Sequence, residues 1–135
     1  MKTGHDELTE ALGHAAASLP DVDLLVLFGS RARGAARAGS DVDIAVGLCD
    51  RGLATRRAVE VAIGRALNAR VDITFFDNAP PQLRFEIARS GVLVSERTTG
   101  AWARERARAM IDWWDWAPLA RRIHARAVSR LRAEA

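Results

Sequence analysis

The chain has 135 residues, of which 49% are hydrophobic and 27% are charged, a composition that is typical of a folded globular domain and excludes a disordered chain. Its net charge is only +3, and residues 1–100 carry a net charge of −1, so a general nucleic-acid binder is not indicated for this main body. The single cysteine excludes an internal disulfide and a cysteine-rich metal site. No apolar run approaches the roughly 18 residues of a membrane span, and we expect a cytoplasmic protein.

The charge is unevenly distributed along the chain. Residues 1–100 carry 12 cations and 13 anions, whereas residues 101–135 carry 8 cations and 4 anions. We therefore expect a core over residues 1–100 and a basic helical extension of the same domain over residues 101–135.

Hydrophobic periodicity predicts alternating helices and strands before residue 100. Spacings of three and four residues between apolar positions mark the helices, and short runs of β-branched, aromatic and leucine residues mark the strands. Helices are predicted at residues 6–18, at 53–67 and from the cap and prolines of residues 77–81 to about 89, and strands at residues 23–28, 43–48, 70–76 and 92–94.

The last third of the chain is predicted to be helical. One helix is expected from Trp102 to about Trp116 and a second from Pro118 to about residue 131, because proline interrupts a helix. Trp102 and Trp114 are expected to face the core, together with Ile111 between them, and Trp113 and Trp116 to lie on other, exposed sides.

The link between the first two strands is too short for a crossover helix, so these strands are predicted to be antiparallel, joined by one helical turn and a loop. The chain is therefore expected to have an α+β fold, with a small mixed sheet of about four strands flanked by helices.

A turn that could bind phosphate follows the first strand. Gly29 would let the backbone approach a ligand closely, and Ser30 would begin a helical turn whose free N–H groups face outward. Arg31 and Arg33 could add charge-assisted hydrogen bonds to phosphate oxygens.

Three carboxylates accompany this turn. Asp41 and Asp43 are two residues apart and would lie on the same face of a strand, while Asp72 opens the next strand. An Asp-x-Asp pair by itself is more often a solvated strand edge. If the two strands are neighbours, however, the three acids converge on a site that suits two Mg²⁺ ions, about 3.5–4 Å apart, for phosphoryl transfer.

Gly29-Ser30, followed after ten residues by Asp41-x-Asp43, resembles the motif of the nucleotidyltransferase superfamily that includes DNA polymerase beta. The serine before the acids, Ser40, also fits. The short chain is similar to the minimal nucleotidyltransferase branch. Two downstream segments, residues 77–87 and 113–122, resemble the MntA-type antitoxins of type VII (HEPN/MNT) toxin–antitoxin systems.

The resemblance implies a protein adenylyltransferase that transfers AMP from ATP, with Mg²⁺, to a tyrosine of a partner HEPN ribonuclease toxin and so silences it. It assigns Asp41 and Asp43 as metal-binding acids, and Asp72 as a metal ligand and possible base. Gly29 and Ser30 match the triphosphate-binding turn. The chain itself has no tyrosine, so a tyrosine acceptor has to come from another protein.

Two alternatives remain open. The chain could neutralise a toxin by binding alone, although an intact set of three acids is not needed for that. It could also modify a small molecule such as an aminoglycoside, although enzymes of that kind usually need a second domain. The tryptophan- and arginine-rich tail is a candidate surface for a toxin partner, because these residues often anchor interfaces. Neither direct binding of nucleic acid nor contact with a membrane is expected.

Overall fold

Helices and strands alternate along the chain largely as predicted. The computed structural model describes residues 4–32, 41–67 and 69–134. The first strand is followed by a single helical turn, α2, as expected. The elements are α1 (Gly4–Ala17), β1 (Val22–Phe28), α2 (Gly29–Ala32), β2 (Val42–Leu48), α3 (Leu53–Ala66), β3 (Val71–Phe75), α4 (Pro81–Ser90), β4 (Val92–Glu96) and α5 (Ala101–Glu134), with a 3-10 turn at Phe76–Asn78.

The four strands form one mixed sheet in the order β3-β2-β1-β4. Strand β1 is antiparallel to both β2 and β4, whereas β2 and β3 are parallel and joined by the crossover helix α3. The predicted antiparallel pairing of the first two strands and the α+β fold class are therefore confirmed.

Both faces of the sheet are covered. Alternating strand residues such as Leu25 and Ile44 are fully buried on one face, where α1 and α3 contribute to the core. On the opposite face, Val26 and Ala45 pack with Ile87 of α4, and Trp102 of α5 packs against this cluster as predicted.

Helix α5 is tied to the sheet at its first turn. The carboxylate of Glu96, at the end of β4, accepts hydrogen bonds from the backbone N–H groups of Gly100 at 3.3 Å and Trp102 at 3.0 Å. These N–H groups would otherwise lack partners inside the helix. In the described part of the chain, no helix is both long enough and apolar enough to cross a membrane.

The predicted break at Pro118 is wrong, because α5 is a single helix of 34 residues with Pro118 inside it. Proline removes one backbone donor and disturbs the preceding turn. Pro118 is exposed, and so is Trp114 four residues earlier, where water can satisfy the carbonyl that proline leaves without a partner.

The predicted orientation of the tryptophans after Trp102 is also wrong. Trp114 is 67% exposed, and Ile111 is 55% exposed. Trp113 and Trp116 are instead half-buried; the Trp113 ring stacks on Phe85 of α4 at 4.9 Å and lies 5.6 Å from Trp116. The position of α4 beside α5 determines which side of α5 is covered, and helical periodicity alone does not reveal it.

Candidate active site

Strand register gathers the predicted acids at one end of the sheet. Phe28, the last residue of β1, pairs with Asp43 near the start of β2, and Asp43 pairs with Asp72 near the start of β3. The condition for convergence, that the strands of Asp43 and Asp72 are neighbours, is therefore met. We call the group formed by Gly29, Asp41, Asp43 and Asp72 the acidic end.

Gly29 is required at the acidic end for two reasons. Its φ of +73° lies in the left-handed region, which side chains disfavour. A Cβ atom at this position would also overlap Oδ2 of Asp43 and lie only 3.2 Å from its Cγ. The prediction that Gly29 lets a ligand approach the backbone stays a prediction; the structure shows in addition that the missing Cβ makes room for the Asp43 carboxylate.

The electrostatics of Asp43 show that the three carboxylates influence one another. Burial raises the pKa of Asp43, and the negative charges of Asp72 and Asp41 raise that pKa further. Asp41 and Asp72 are exposed, and none of the three forms an ion pair with an arginine or lysine whose side chain the structure describes, a set that does not include Arg31 or Arg33. The acidic end therefore holds negative charge that no described side chain neutralises.

This donor set fits a hard divalent cation. Carboxylate oxygens are the preferred ligands of Mg²⁺, and a cation would relieve the repulsion that raises the pKa of Asp43. The side chains do not form a complete cage, since no three Asp, Glu, His or Cys residues in the described ranges already lie at ligand spacing. Mg²⁺ suits such an open site, because it usually keeps several waters and takes one or two protein carboxylates.

The predicted phosphate-binding turn adjoins the acidic end. Gly29 begins α2, and Ser30 and Arg31 follow it within this one turn. The other two predicted nucleotide-binding residues, Arg33 and Ser40, lie outside the described residues. The backbone of the turn is thus beside Asp43.

Sequence comparison identifies the family of the chain. The family described as "Polymerase beta, Nucleotidyltransferase" matches residues 10–99, which include β1, the acidic end and all of the other strands. A search among curated proteins finds no match.

Several solved structures are similar to this fold. A toxin–antitoxin structure with AMP-PNP has a TM-score of 0.76 at 20% identity, over 89% of this chain and 98% of that chain. A complex of tri-AMPylated Shewanella oneidensis HEPN toxin with MNT antitoxin has a TM-score of 0.73 at 17% identity, over 92% and 98% of the respective chains. A protein described as a minimal nucleotidyltransferase has a TM-score of 0.51 and is 32% identical over 64% of this chain and 92% of that chain. The first two likenesses, at such low identity, establish the fold.

Proposed function

This chain belongs to the polymerase beta nucleotidyltransferase family, and we propose that it is a protein adenylyltransferase antitoxin. It transfers AMP from ATP to a tyrosine of a cognate HEPN ribonuclease toxin in the cytoplasm and so neutralises the toxin. The observation that carries this proposal is the pairing of Asp43 with Asp72, directly beside Gly29. Similar folds in a complex with AMP-PNP and in a complex with a tri-AMPylated HEPN toxin support it.

The acids have distinct roles in this mechanism. Asp41, Asp43 and Asp72 would hold Mg²⁺, two ions in the full site, and the bound metal would supply charge neutralisation at the phosphates. The tyrosine oxygen forms a bond to the α-phosphorus of ATP while the bond from that phosphorus to the departing pyrophosphate breaks. Asp72 is exposed and accepts the hydroxyl proton, which needs a base because the ordinary pKa of tyrosine is about 10.

The turn after β1 positions the triphosphate. The backbone N–H groups of Gly29 and Ser30 donate to phosphate oxygens, and Arg31 and Arg33 add positive charge. Ser40 precedes the Asp-x-Asp pair and contributes a further polar contact. Binding the triphosphate here places the α-phosphorus near the acids, because Gly29 and Asp43 are in contact range.

The toxin contacts the outer half of α5, which we define as residues 118–134. Three large apolar side chains there, which we call the tail stripe, are more than half exposed: Leu119 at 52%, Ile123 at 60% and Leu131 at 68%. Their spacing places them along one side of the helix. A mostly apolar cavity of about 360 Å³, lined by Trp113 and Trp116, lies along the same stretch of α5. An amphipathic helix with no covering element in the described chain is suited to a partner.

The proposed reaction can be tested with labelled ATP, Mg²⁺ and the cognate HEPN toxin. We expect labelled AMP on a toxin tyrosine, together with loss of the toxin's ribonuclease activity. Neutralisation without label would favour an antitoxin that acts by binding alone. Label on an aminoglycoside and none on the toxin would favour the small-molecule enzyme.

The tail stripe can be tested separately from the chemistry. We expect Leu119→Ser combined with Ile123→Ser to weaken toxin binding by about 10- to 100-fold, as for the loss of interface anchors, while the melting temperature stays unchanged because both side chains are exposed. The matched control is Leu53→Ser with Val61→Ser, which alters two exposed apolar residues of α3. Equal binding by both double variants, measured by calorimetry, would contradict a toxin interface on the tail.

A further inference from the structure

The sheet face that carries Asp43 has a second polar feature at its opposite end. A cavity of about 350 Å³ opens there, bounded by the start of β1 at Leu24 and the end of β2 at Gly47. Helices α4 and α5 and the 3-10 turn complete its wall. Its size lies within the range of small-molecule sites, which is roughly 300–1,000 Å³.

Four arginines from three separate segments converge on this cavity, which we call the arginine cavity. Arg51 follows β2, Arg84 belongs to α4, and Arg104 and Arg108 are one turn apart on α5. Arg84 is ion-paired with Glu105 and Asp112, and Arg108 lies 3.5 Å from Glu105, so Arg51 and Arg104 carry the positive charge that a bound anion would pair with most directly.

These guanidinium groups retain free hydrogen-bond donors. Among the described residues, the Arg51 side chain has no partner, and the buried Nε of Arg84 has none. Arg104 reaches the Thr99 carbonyl only at 3.4 Å, and Arg108 reaches Glu105 only at 3.5 Å. Arg51, Arg104 and Arg108 can therefore offer N–H groups in the forked geometry that matches phosphate. Arg84 already donates its two terminal nitrogens to Asp112 and Glu105, so it can offer only its Nε–H.

The acids in the cavity wall already have partners. Asp77 forms an ion pair with Arg56, which is outside the wall. Asp23 accepts hydrogen bonds from the backbone N–H of Thr98 at 3.2 Å and from its hydroxyl at 2.9 Å. Glu105 accepts from Arg84 at 3.3 Å. These carboxylates are therefore already engaged, and the free hydrogen-bond donors that a ligand would meet in the cavity are the N–H groups of the arginines.

The arginine cavity is separate from the acidic end. Gly47 and Asp43 are four residues apart on β2, which corresponds to about 13 Å along a strand. Between them, Val26, Ala45 and Ile87 are buried to at least 99% and fill the sheet face.

We propose that the arginine cavity binds a diphosphate group, either as free pyrophosphate or as the diphosphate of a small ester. A diphosphate presents enough oxygens to accept from the three arginines that keep free forks, Arg51, Arg104 and Arg108, and it fits within the cavity volume. Leu24 and Phe76 add apolar wall against which the organic part of an ester can pack.

Calorimetric titration of the full chain with inorganic pyrophosphate tests this proposal. The buffer contains EDTA, because without a divalent cation the carboxylates of the acidic end repel the anion. We expect one site that weakens with added salt. Arg104→Gln combined with Arg108→Gln should raise the Kd at least about tenfold. The matched control, Arg122→Gln with Arg126→Gln, removes two charges with the same spacing from the exposed outer half of α5 and should leave the Kd unchanged.

Circular dichroism of each variant distinguishes lost binding from lost folding.

A parallel titration with ADP separates the two ligand sources, since tighter binding of ADP indicates an ester and equal or weaker binding indicates free pyrophosphate. No heat at about 1 mM pyrophosphate, or equal weakening in both folded double variants, would overturn the proposal. The transfer assay with the toxin is independent of this result.

Discussion

The acidic end and the arginine cavity lie at opposite ends of one sheet face and are built in opposite ways. At the acidic end, Asp43 and Asp72 are short side chains whose positions follow directly from strand register. At the arginine cavity, Arg51, Arg84 and Arg104 extend from different elements on long, flexible side chains. The first site therefore depends on backbone geometry, whereas the second depends on how helices pack against the sheet.

The buried residues between the two sites keep them apart. Val26 and Ala45 are fully buried on this face, so charged groups occur only where the strands end and water can enter. A small sheet can thus present carboxylates at one end and guanidinium groups at the other without the two groups neutralising each other.

The largest expected effect comes from removing one charge at the acidic end. Asp43→Asn should lower AMP transfer by about 10³-fold, since it removes a main electrostatic group of the site while keeping the side-chain shape. The initial rate of label transfer to the toxin measures this loss. Glu60→Gln, which neutralises an exposed acid on α3, is the matched control and should transfer AMP at the normal rate. A rate within about tenfold of the unmodified protein would remove Asp43 from the site.

A smaller effect is expected from the backbone of the acidic end. Gly29→Ala should destabilise the fold by about 1–3 kcal/mol, because alanine is strained at a φ of +73° and its Cβ would contact Asp43. Transfer should also fall by about 10²-fold, because the Asp43 carboxylate has to move. Urea denaturation and the transfer assay measure the two effects.

A helical glycine provides the contrast for Gly29. At Gly13, inside α1, a Cβ would meet nothing within 4 Å, so Gly13→Ala should stabilise the protein by about 0.5–1 kcal/mol. Equal responses at the two glycines would show that Gly29 has no special role.

The smallest expected effect is a pH dependence with opposite signs at two aspartates. Burial and the neighbouring acids raise the pKa of Asp43, so the folded state favours the protonated form and loses stability as the pH rises above the unfolded pKa of about 3.9. The Gly52 N–H and the Thr55 hydroxyl lower the pKa of Asp50, which therefore stabilises the fold above that pH and loses this contribution as the pH falls.

Urea midpoints in metal-free buffer check these signs between about pH 3 and pH 7. At neutral pH, Asp43→Asn should be more stable than the unmodified protein and Asp50→Asn less stable. Both differences should shrink as the pH falls toward 3. Differences of the same sign for the two variants would contradict this electrostatic account.

Local sequence patterns predicted most of the secondary structure. The apolar run at residues 23–28 and the β-branched residues near Asp72 became strands because such residues favour a pleated, buried surface. The patterns wrongly predicted a helix break at Pro118 and a core-facing Trp114. Helix α5 continues through Pro118 because that position is exposed to solvent, and Trp114 is exposed because α4 covers a different side of α5. No local pattern reveals which side of a helix another element will cover.

By itself, the sequence determined the residue types of the acidic end and their two-residue spacing at Asp41 and Asp43, because these are properties of adjacent positions. Only the tertiary structure decided that Asp72 lies beside Asp43, that Gly29 makes room for the Asp43 carboxylate, and that distant arginines share a cavity. The physical reason is that strand pairing and helix packing join residues far apart in the chain, and their register follows from the burial of the whole core.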